Sequence, residues 1–317
     1  MKIFITRPIP GSALNIINTL GTVKLRNKDS VISRRELEAG VKDCDILVPI
    51  LTDKIDDALL SQAPRLKLIA NYGAGYNNID IVAAKKHGVA VTNTPGVLTE
   101  TTAELTVALM LAVSRRLVET DGIMRAGKYP GWGPMMYLGH GISGKTLGVI
   151  GMGRVGTRVA EIAHHGFGMH VLYYTKRKER EVELSLGAKK VSLNTLLKKS
   201  DVVSLHVPLL PNTQHLIGKK QLALMKSSAY LINTSRGPVV DEVALVQALK
   251  SKQIAGAGLD VYEKEPAMVP GLAKLSNAVL LPHIGSATID TRTAMAMVVA
   301  KNIKAFVRGK KLPNQVA

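Results

Sequence analysis

The sequence is poor in cysteine: Cys44 is the only one in 317 residues. A lone thiol excludes an intrachain disulfide and a thiolate-rich zinc site, and it suits a reducing compartment. Aromatic residues make up only 4% of the chain, which leaves few platforms for stacking nucleic-acid bases. Long hydrophobic runs are missing too. The most apolar stretch, Leu105 to Val113, has nine residues, against the ~20 that a membrane-spanning helix requires. The segment Met1-Lys2-Ile3-Phe4-Ile5-Thr6-Arg7 has three apolar residues between its charges, too few for a signal-peptide core. These absences predict a cytoplasmic protein with no membrane association.

Acidic residues are also scarce, with 24 Asp and Glu against 42 Lys and Arg, a net charge of +18. Such an excess first suggests nucleic acid. Its distribution argues otherwise. Residues 1–98 hold 13 basic and 9 acidic residues, residues 99–283 hold 23 and 14, and residues 284–317 hold 6 and 1. The excess is spread along the chain, so no nucleic-acid partner is expected, and small anions are. No G-x-S-x-G elbow is present, and the adjacent His164-His165 pair has no ligand partners at metal spacing. No metal is expected.

Length and a 46% hydrophobic content predict two domains with sizeable cores. Short apolar runs lie at Lys2–Thr6, Asp45–Ile50, Leu68–Asn71 and Val89–Asn93. They resume at Thr146–Ile150, Met169–Tyr174, Asp201–His206, Ala229–Asn233, Ala255–Val261 and Ala278–His283. Near-continuous apolar strands alternating with helical patterns indicate βαβ units and parallel sheets. Between the two groups, Thr99–Arg116 reads as a buried helix, with Thr101 and Glu104 at capping-box spacing. Gly127–Gly144, rich in Gly, Pro and aromatics, reads as an irregular loop. A last helical pattern after Ala287 could return to either lobe.

Gly151-Met152-Gly153-Arg154-Val155-Gly156 fits G-x-G-x-x-G, with an apolar strand before it and a helical pattern after it. The glycines suit a tight turn, the approach of a pyrophosphate and close helix–strand packing. An NAD site calls for an acid at the end of the next strand. Here Thr175-Lys176-Arg177-Lys178 stands instead. Cations and a hydroxyl would bind a 2′-phosphate, so NADPH is the expected cofactor, with NADH possible.

In open α/β sheets, ligands bind beyond the carboxyl ends of the strands. Those ends carry His206-Val207-Pro208, Asn233-Thr234-Ser235-Arg236-Gly237, Asp260 and Pro282-His283-Ile284-Gly285-Ser286, with Glu263-Lys264-Glu265-Pro266 between the last two. Of these, His206, Val207, Pro208, Thr234, Ser235, Arg236, Asp260, His283 and Gly285 are expected to border the cofactor. Hydride transfer to a 2-oxo acid needs a cation for the carboxylate and carbonyl, and a proton donor steadied by a carboxylate. Arg236, His283 and Glu265 supply that set.

The sequence resembles the D-isomer-specific 2-hydroxyacid dehydrogenases along essentially its whole length. The matching stretches are Asn71-Tyr72-Gly73-Ala74-Gly75-Tyr76-Asn77-Asn78-Ile79-Asp80, Asn93-Thr94-Pro95-Gly96-Val97-Leu98-Thr99, the glycine fingerprint, Ile232–Gly237, Gly258–Val261 with Glu265-Pro266, and Pro282–Ser286. The resemblance implies two α/β lobes, Rossmann-like and flavodoxin-like, with the nucleotide lobe inserted in the substrate lobe. Residues 1–99 and 285–317 would bind substrate, and residues 100–284 would bind NAD(P). His283 would be the general acid, Glu265 its partner and Arg236 the substrate clamp. Backbone N–H groups of Ala74 and Gly75 would hold the carboxylate, Leu51 and Ser286 would line the pocket, and Asp260 would bond the nicotinamide carboxamide.

Within the family the chain is most similar to glyoxylate/hydroxypyruvate reductases (D-glycerate dehydrogenases), which implies a homodimer acting on glyoxylate or hydroxypyruvate. One departure stands out. Those reductases carry a Trp, reaching toward the partner's pocket, where this chain has Pro134-Met135-Met136-Tyr137. Met136 would line a looser pocket, or the substrate would be a different 2-oxo acid. The same fold also serves nucleotide-sensing corepressors, a binding-module alternative that the three catalytic-type residues do not exclude.

Overall fold

All pairings between the twelve strands are parallel. The computed structural model describes all 317 residues. They form two units, Met1–Leu98 with Ser286–Ala317, and Thr99–Gly285.

The first unit holds β1 (Lys2–Ile5), β2 (Thr22–Leu25), β3 (Ile46–Val48), β4 (Leu68–Ala70) and β5 (Ala90–Thr92), in the order β2-β1-β3-β4-β5. This is the flavodoxin-like order. Alternation decides which side chain goes where. Ile3, Ile5, Ile46, Val48, Leu68 and Ala70 enter one core. Phe4, Leu47, Ile69 and Val91 enter the core on the opposite face. Strands β1, β3 and β4 are thus apolar on both sides, which is why each reads as an unbroken run. The helix Ile289–Val307 returns to this unit, and its Met295, Ala296, Val299, Ala300 and Ile303 close the first of these cores. That settles which lobe the last helix joins.

The second unit holds β6 (Thr146–Ile150), β7 (His170–Tyr174), β8 (Lys189–Lys190), β9 (Val202–Leu205), β10 (Tyr230–Asn233), β11 (Gly256–Leu259) and β12 (Ala278–Leu280). The order β12-β11-β10-β9-β6-β7-β8 is the dinucleotide-binding arrangement with one further strand. The sheet reverses direction of growth between β6 and β9, which places a crevice at their carboxyl ends. The helix Thr99–Ser114 lies on this sheet. Its Leu109 and Val113 would meet any side chain added at Gly258 and Gly256 of β11, so those glycines let the helix lie close.

Three readings of the sequence need correction. Strands β2 and β8 were not among the expected runs. Thr22-Val23-Lys24-Leu25 is a partly exposed edge strand, and β8 is two exposed lysines, so neither carries an apolar signal. The helix expected to be capped at Thr101 starts at Thr99, which leaves Thr101 inside its first turn. A further helix, Leu117–Arg125, follows it after a left-handed Arg116 (φ 57°), and it buries none of its residues within this chain. No helix is long and apolar enough to cross a membrane.

Candidate active site

The fingerprint turn shows what each glycine is for. Gly151 has φ +97°, and a Cβ there would sit 2.7 Å from the His206 backbone. A Cβ at Gly156 would lie 2.2 Å from the Gly151 carbonyl oxygen. Gly153 differs, since a Cβ there would meet nothing within 4 Å. The space before Gly153 is therefore open for a phosphate, not filled by the protein. Gly153 is also the N-cap of the helix Arg154–Phe167 and gives it no side-chain cap. The first N–H groups of a long helix thus face an open approach, the arrangement that binds phosphate. Met152 is buried beside the turn, while Arg154 is exposed.

Strand β7 ends at Tyr174, and Thr175, Lys176 and Arg177 follow with no acid among them. Lys176 and Arg177 are exposed. Lys178 differs, because its Nζ is 3.1 Å from Glu183 Oε2. The loop is braced from beneath, where the Tyr173 hydroxyl donates to Glu183 (2.8 Å) and accepts from the Glu179 N–H (3.0 Å). At the end of β9, His206 Nε2 bonds Ser204 Oγ at 2.8 Å, and burial pushes its imidazole well below the ordinary range, so the ring is neutral.

The end of β10 is a built turn. Asn233 Oδ1 accepts from the Ser235 N–H (3.0 Å) and Ser235 Oγ (2.8 Å), and its Nδ2 donates to the Arg236 carbonyl (3.0 Å). Thr234 Oγ1 shares a 2.8 Å bond with Thr106. Arg236 therefore leaves the sheet from a fixed backbone, and its Nη1 donates to the Ser235 carbonyl at 2.6 Å. Burial lowers the guanidinium from its ordinary range and the Glu265 charge works against that; it remains a cation.

His283 follows β12 in a left-handed conformation, φ 55°, which is costly for a residue with a Cβ. Asp260 explains how it is held. Its Oδ1 accepts from the Ile284 N–H (2.7 Å) and its Oδ2 from the Gly285 N–H (2.8 Å). Thr102 Oγ1 donates to the Gly285 carbonyl at 3.1 Å. Both oxygens of Asp260 thus steady the turn after His283, a task the sequence did not reveal. His283 Nδ1 lies 2.8 Å from Glu265 Oε2, and the Tyr262 N–H donates to Glu265 Oε1 (3.1 Å). Burial works to raise the Glu265 carboxyl. The His283 bond and charge, the Tyr262 N–H and Arg236 outweigh it, and the group sits below its usual range. An ionised partner on Nδ1 fixes the ring and leaves Nε2 to face a reacting oxygen.

The first unit carries a different kind of strand end. The loop after β4 is held by two buried amides: Asn71 Nδ2 donates to the Gly75 carbonyl (2.8 Å) and Asn93 Nδ2 to the Ala74 carbonyl (2.7 Å). The N–H groups of Ala74 and Gly75 donate to no protein acceptor. Leu51 packs against Gly73, where a Cβ would come within 2.4 Å of its side chain. Ser286 opens the turn before the last helix, its carbonyl accepting from the Thr288 N–H (3.0 Å).

A dinucleotide-type sheet whose strand ends bring together a cation, an imidazole and a carboxylate defines an oxidoreductase of the nicotinamide class. Residues 107–285 match the D-isomer specific 2-hydroxyacid dehydrogenase, NAD binding domain. The glyoxylate reductase of Thermococcus litoralis is 51% identical over 319 residues, covering 99% of this chain and 96% of that protein. A solved structure from Thermus thermophilus is 43% identical with a TM-score of 0.92, and the match covers both chains fully. The NADPH-dependent glyoxylate/hydroxypyruvate reductase of Sinorhizobium meliloti, solved with NADP and malonate, is 30% identical with a TM-score of 0.87, covering 100% of this chain and 96% of that one. The chain belongs to the D-isomer specific 2-hydroxyacid dehydrogenase family. It is an NAD(P)-dependent dehydrogenase, with its dinucleotide site in the second unit.

Proposed function

We propose that this protein reduces glyoxylate to glycolate, and hydroxypyruvate as a second substrate to D-glycerate, with NADPH. The observation that carries the proposal is the His283–Glu265 pair, at 2.8 Å, on the same strand-end rim as Arg236. The kinship to glyoxylate reductases supports the choice of acid. When bound, the dinucleotide supplies a hydride to the carbonyl carbon. Arg236 polarises the carbonyl and neutralises the carboxylate. His283 gives the proton to the oxygen, and Glu265 balances the imidazolium until that moment. In the first unit, the N–H groups of Ala74 and Gly75 are the proposed carboxylate donors, with Leu51 and Ser286 bordering the substrate. The side chain of Asp260 steadies the His283 turn, and its remaining lone pairs are the proposed acceptors for the carboxamide. The phosphates would lie along Gly151–Gly156, bordered by His206-Val207-Pro208 and Thr234-Ser235.

Lys176, Arg177 and Thr175 are the proposed 2′-phosphate ligands. Lys178, the third cation of the loop, pairs with Glu183 at 3.1 Å. A panel of 2-oxo acids assayed with NADPH and NADH tests both readings. Turnover should be highest with glyoxylate, and kcat/KM should favour NADPH. A preference of about tenfold for NADH, a difference of about 1.4 kcal/mol, would overturn the cofactor assignment. Inactivity toward every acid would overturn the reaction.

A homodimer is proposed from residues 117–138. Leu117, Val118, Met124, Trp132, Met135 and Leu138 are all more than half exposed in the single chain, and an apolar patch of that kind marks an interface. Met136 lies in this segment, against Gly133. Sedimentation should give twice the monomer mass, and charge introduced at Leu117 and Val118 should reduce it to the monomer. The buried, unpaired Cys44 supports a reducing cytoplasmic location.

A further inference from the structure

We infer that Glu242 is a positioning residue for the acid–base pair: its buried carboxylate clasps the Glu263 peptide and thereby fixes both the Glu265 turn and the Arg236 turn. The inference deepens the proposed reaction and rests on that reading for its kinetic part only.

The geometry is reciprocal. The Glu263 N–H donates to Glu242 Oε1 at 2.5 Å, and the Glu242 N–H donates to Glu263 Oε1 at 2.9 Å. Glu242 Oε2 accepts a longer bond from the Val269 N–H at 3.3 Å. One side chain therefore pins the turn that carries Glu265 at both of its ends. Glu242 is only 4% exposed, so these backbone donors have no water to fall back on. It opens the helix Glu242–Lys250, directly after the N-cap Asp241.

The same peptide touches the other half of the site. A Cβ at Gly237 would lie 1.9 Å from the Tyr262 carbonyl carbon and 2.4 Å from the Glu263 nitrogen. The backbone next to Arg236 is thus packed directly on the peptide that Glu242 holds. Glu265 is two residues beyond it, so a shift of the clasp moves cation and carboxylate together. Nothing in Glu242 reaches His283 itself; it acts through Glu265.

The charged surroundings are crowded, and this is why register matters. Glu265 faces His283 and Arg236, and Asp260 and Tyr262 lie in the same field. Burial pushes the Glu242 carboxyl above its ordinary range, the Glu263 and Glu265 charges add to that, and the N–H bonds from Glu263 and Val269 oppose it. His215 Nε2 lies 3.2 Å from Glu263 Oε2 on the outer side of the same turn. The turn carries two acids, Glu263 and Glu265, with Lys264 between them, and its backbone anchors hold their spacing.

The test uses the full-length protein and the variants Glu242→Ala, Glu242→Gln and Glu265→Gln. One readout needs no substrate: the low-field NMR resonance of the His283 Nδ1 proton on its carboxylate. It should be present in the wild type, lost in Glu265→Gln, and lost or shifted upfield in Glu242→Ala. In glyoxylate reduction, kcat of Glu242→Ala should fall at least tenfold while the Kd for NADPH stays within twofold. Its pH–rate profile should follow that of Glu265→Gln. Glu242→Gln keeps one acceptor and should show the same changes at smaller size, so it carries the test if the alanine variant does not fold. A folded variant with an unchanged His283 resonance and profile overturns the inference, whatever its melting temperature. An inactive wild type with the resonance responding as described would sink the proposed reaction and leave the positioning role standing.

Discussion

The two units solve the same problem with opposite chemistry. Both are parallel sheets with functional groups at the carboxyl ends of their strands. In the first unit those groups are neutral: buried Asn71 and Asn93 take up the carbonyls of the loop and leave the N–H groups of Ala74 and Gly75 free of protein partners. In the second unit they are ionisable: Arg236, Asp260, Glu265 and His283, with Glu242 and Glu263 hydrogen-bonded into the same turn. A neutral rim can hold an anion in ground and transition state alike. A charged rim with a proton can change its stabilisation as the reaction proceeds, and only that raises turnover. The contrast predicts that the first unit acts through KM alone and that kcat depends on the second.

The largest test of that division is His283→Ala, which should lower kcat by roughly 10²–10⁴ and leave cofactor affinity nearly unchanged. Turnover close to wild type would end the assignment. Arg236→Ala should come next, costing about 1.5–3 kcal/mol of charged hydrogen bonding, or roughly 10–150-fold in kcat/KM, with both constants affected. Asn93→Ala probes the neutral rim. Freeing the Ala74 carbonyl should raise KM by roughly 5–30-fold, from about 1–2 kcal/mol, with little change in kcat. A fall confined to kcat would erase the proposed contrast.

The smallest effect is on stability against pH. Glu265 is held below its usual 4.5 in the folded state. Its contribution is therefore present above the unfolded value and lost as pH falls through the folded one. The melting temperature should drop less steeply in Glu265→Gln than in the wild type between about pH 6 and about pH 3. Parallel curves would show that the pair contributes nothing to folding.

How much of this was legible in the sequence depends on the kind of signal. Buried strands were legible because Ile3, Phe4 and Ile5 each meet a core, so the run has no polar break. Strand β2 was not, since its exposed Thr22 and Lys24 dilute the pattern. Arg236 and His283 were legible because they stand three residues beyond the ends of apolar strands and belong to types that carry charge or protons. The roles of Asp260 and Glu242 were not. Each acts by accepting backbone N–H groups from residues 21 to 27 positions away, and a backbone donor has no side-chain identity to read. The left-handed conformation of His283 was equally hidden, because it is imposed from outside by Asp260 rather than by the local sequence.

The central claim is that His283, steadied by Glu265, protonates a 2-oxo acid during reduction by NADPH. The most direct measurement is the pH dependence of kcat/KM for glyoxylate, wild type against Glu265→Gln, under NADPH saturation. The account predicts a lower plateau in the variant at every pH, since its imidazole has lost the carboxylate that orients it and steadies its proton. Superimposable profiles with equal plateaus would contradict it.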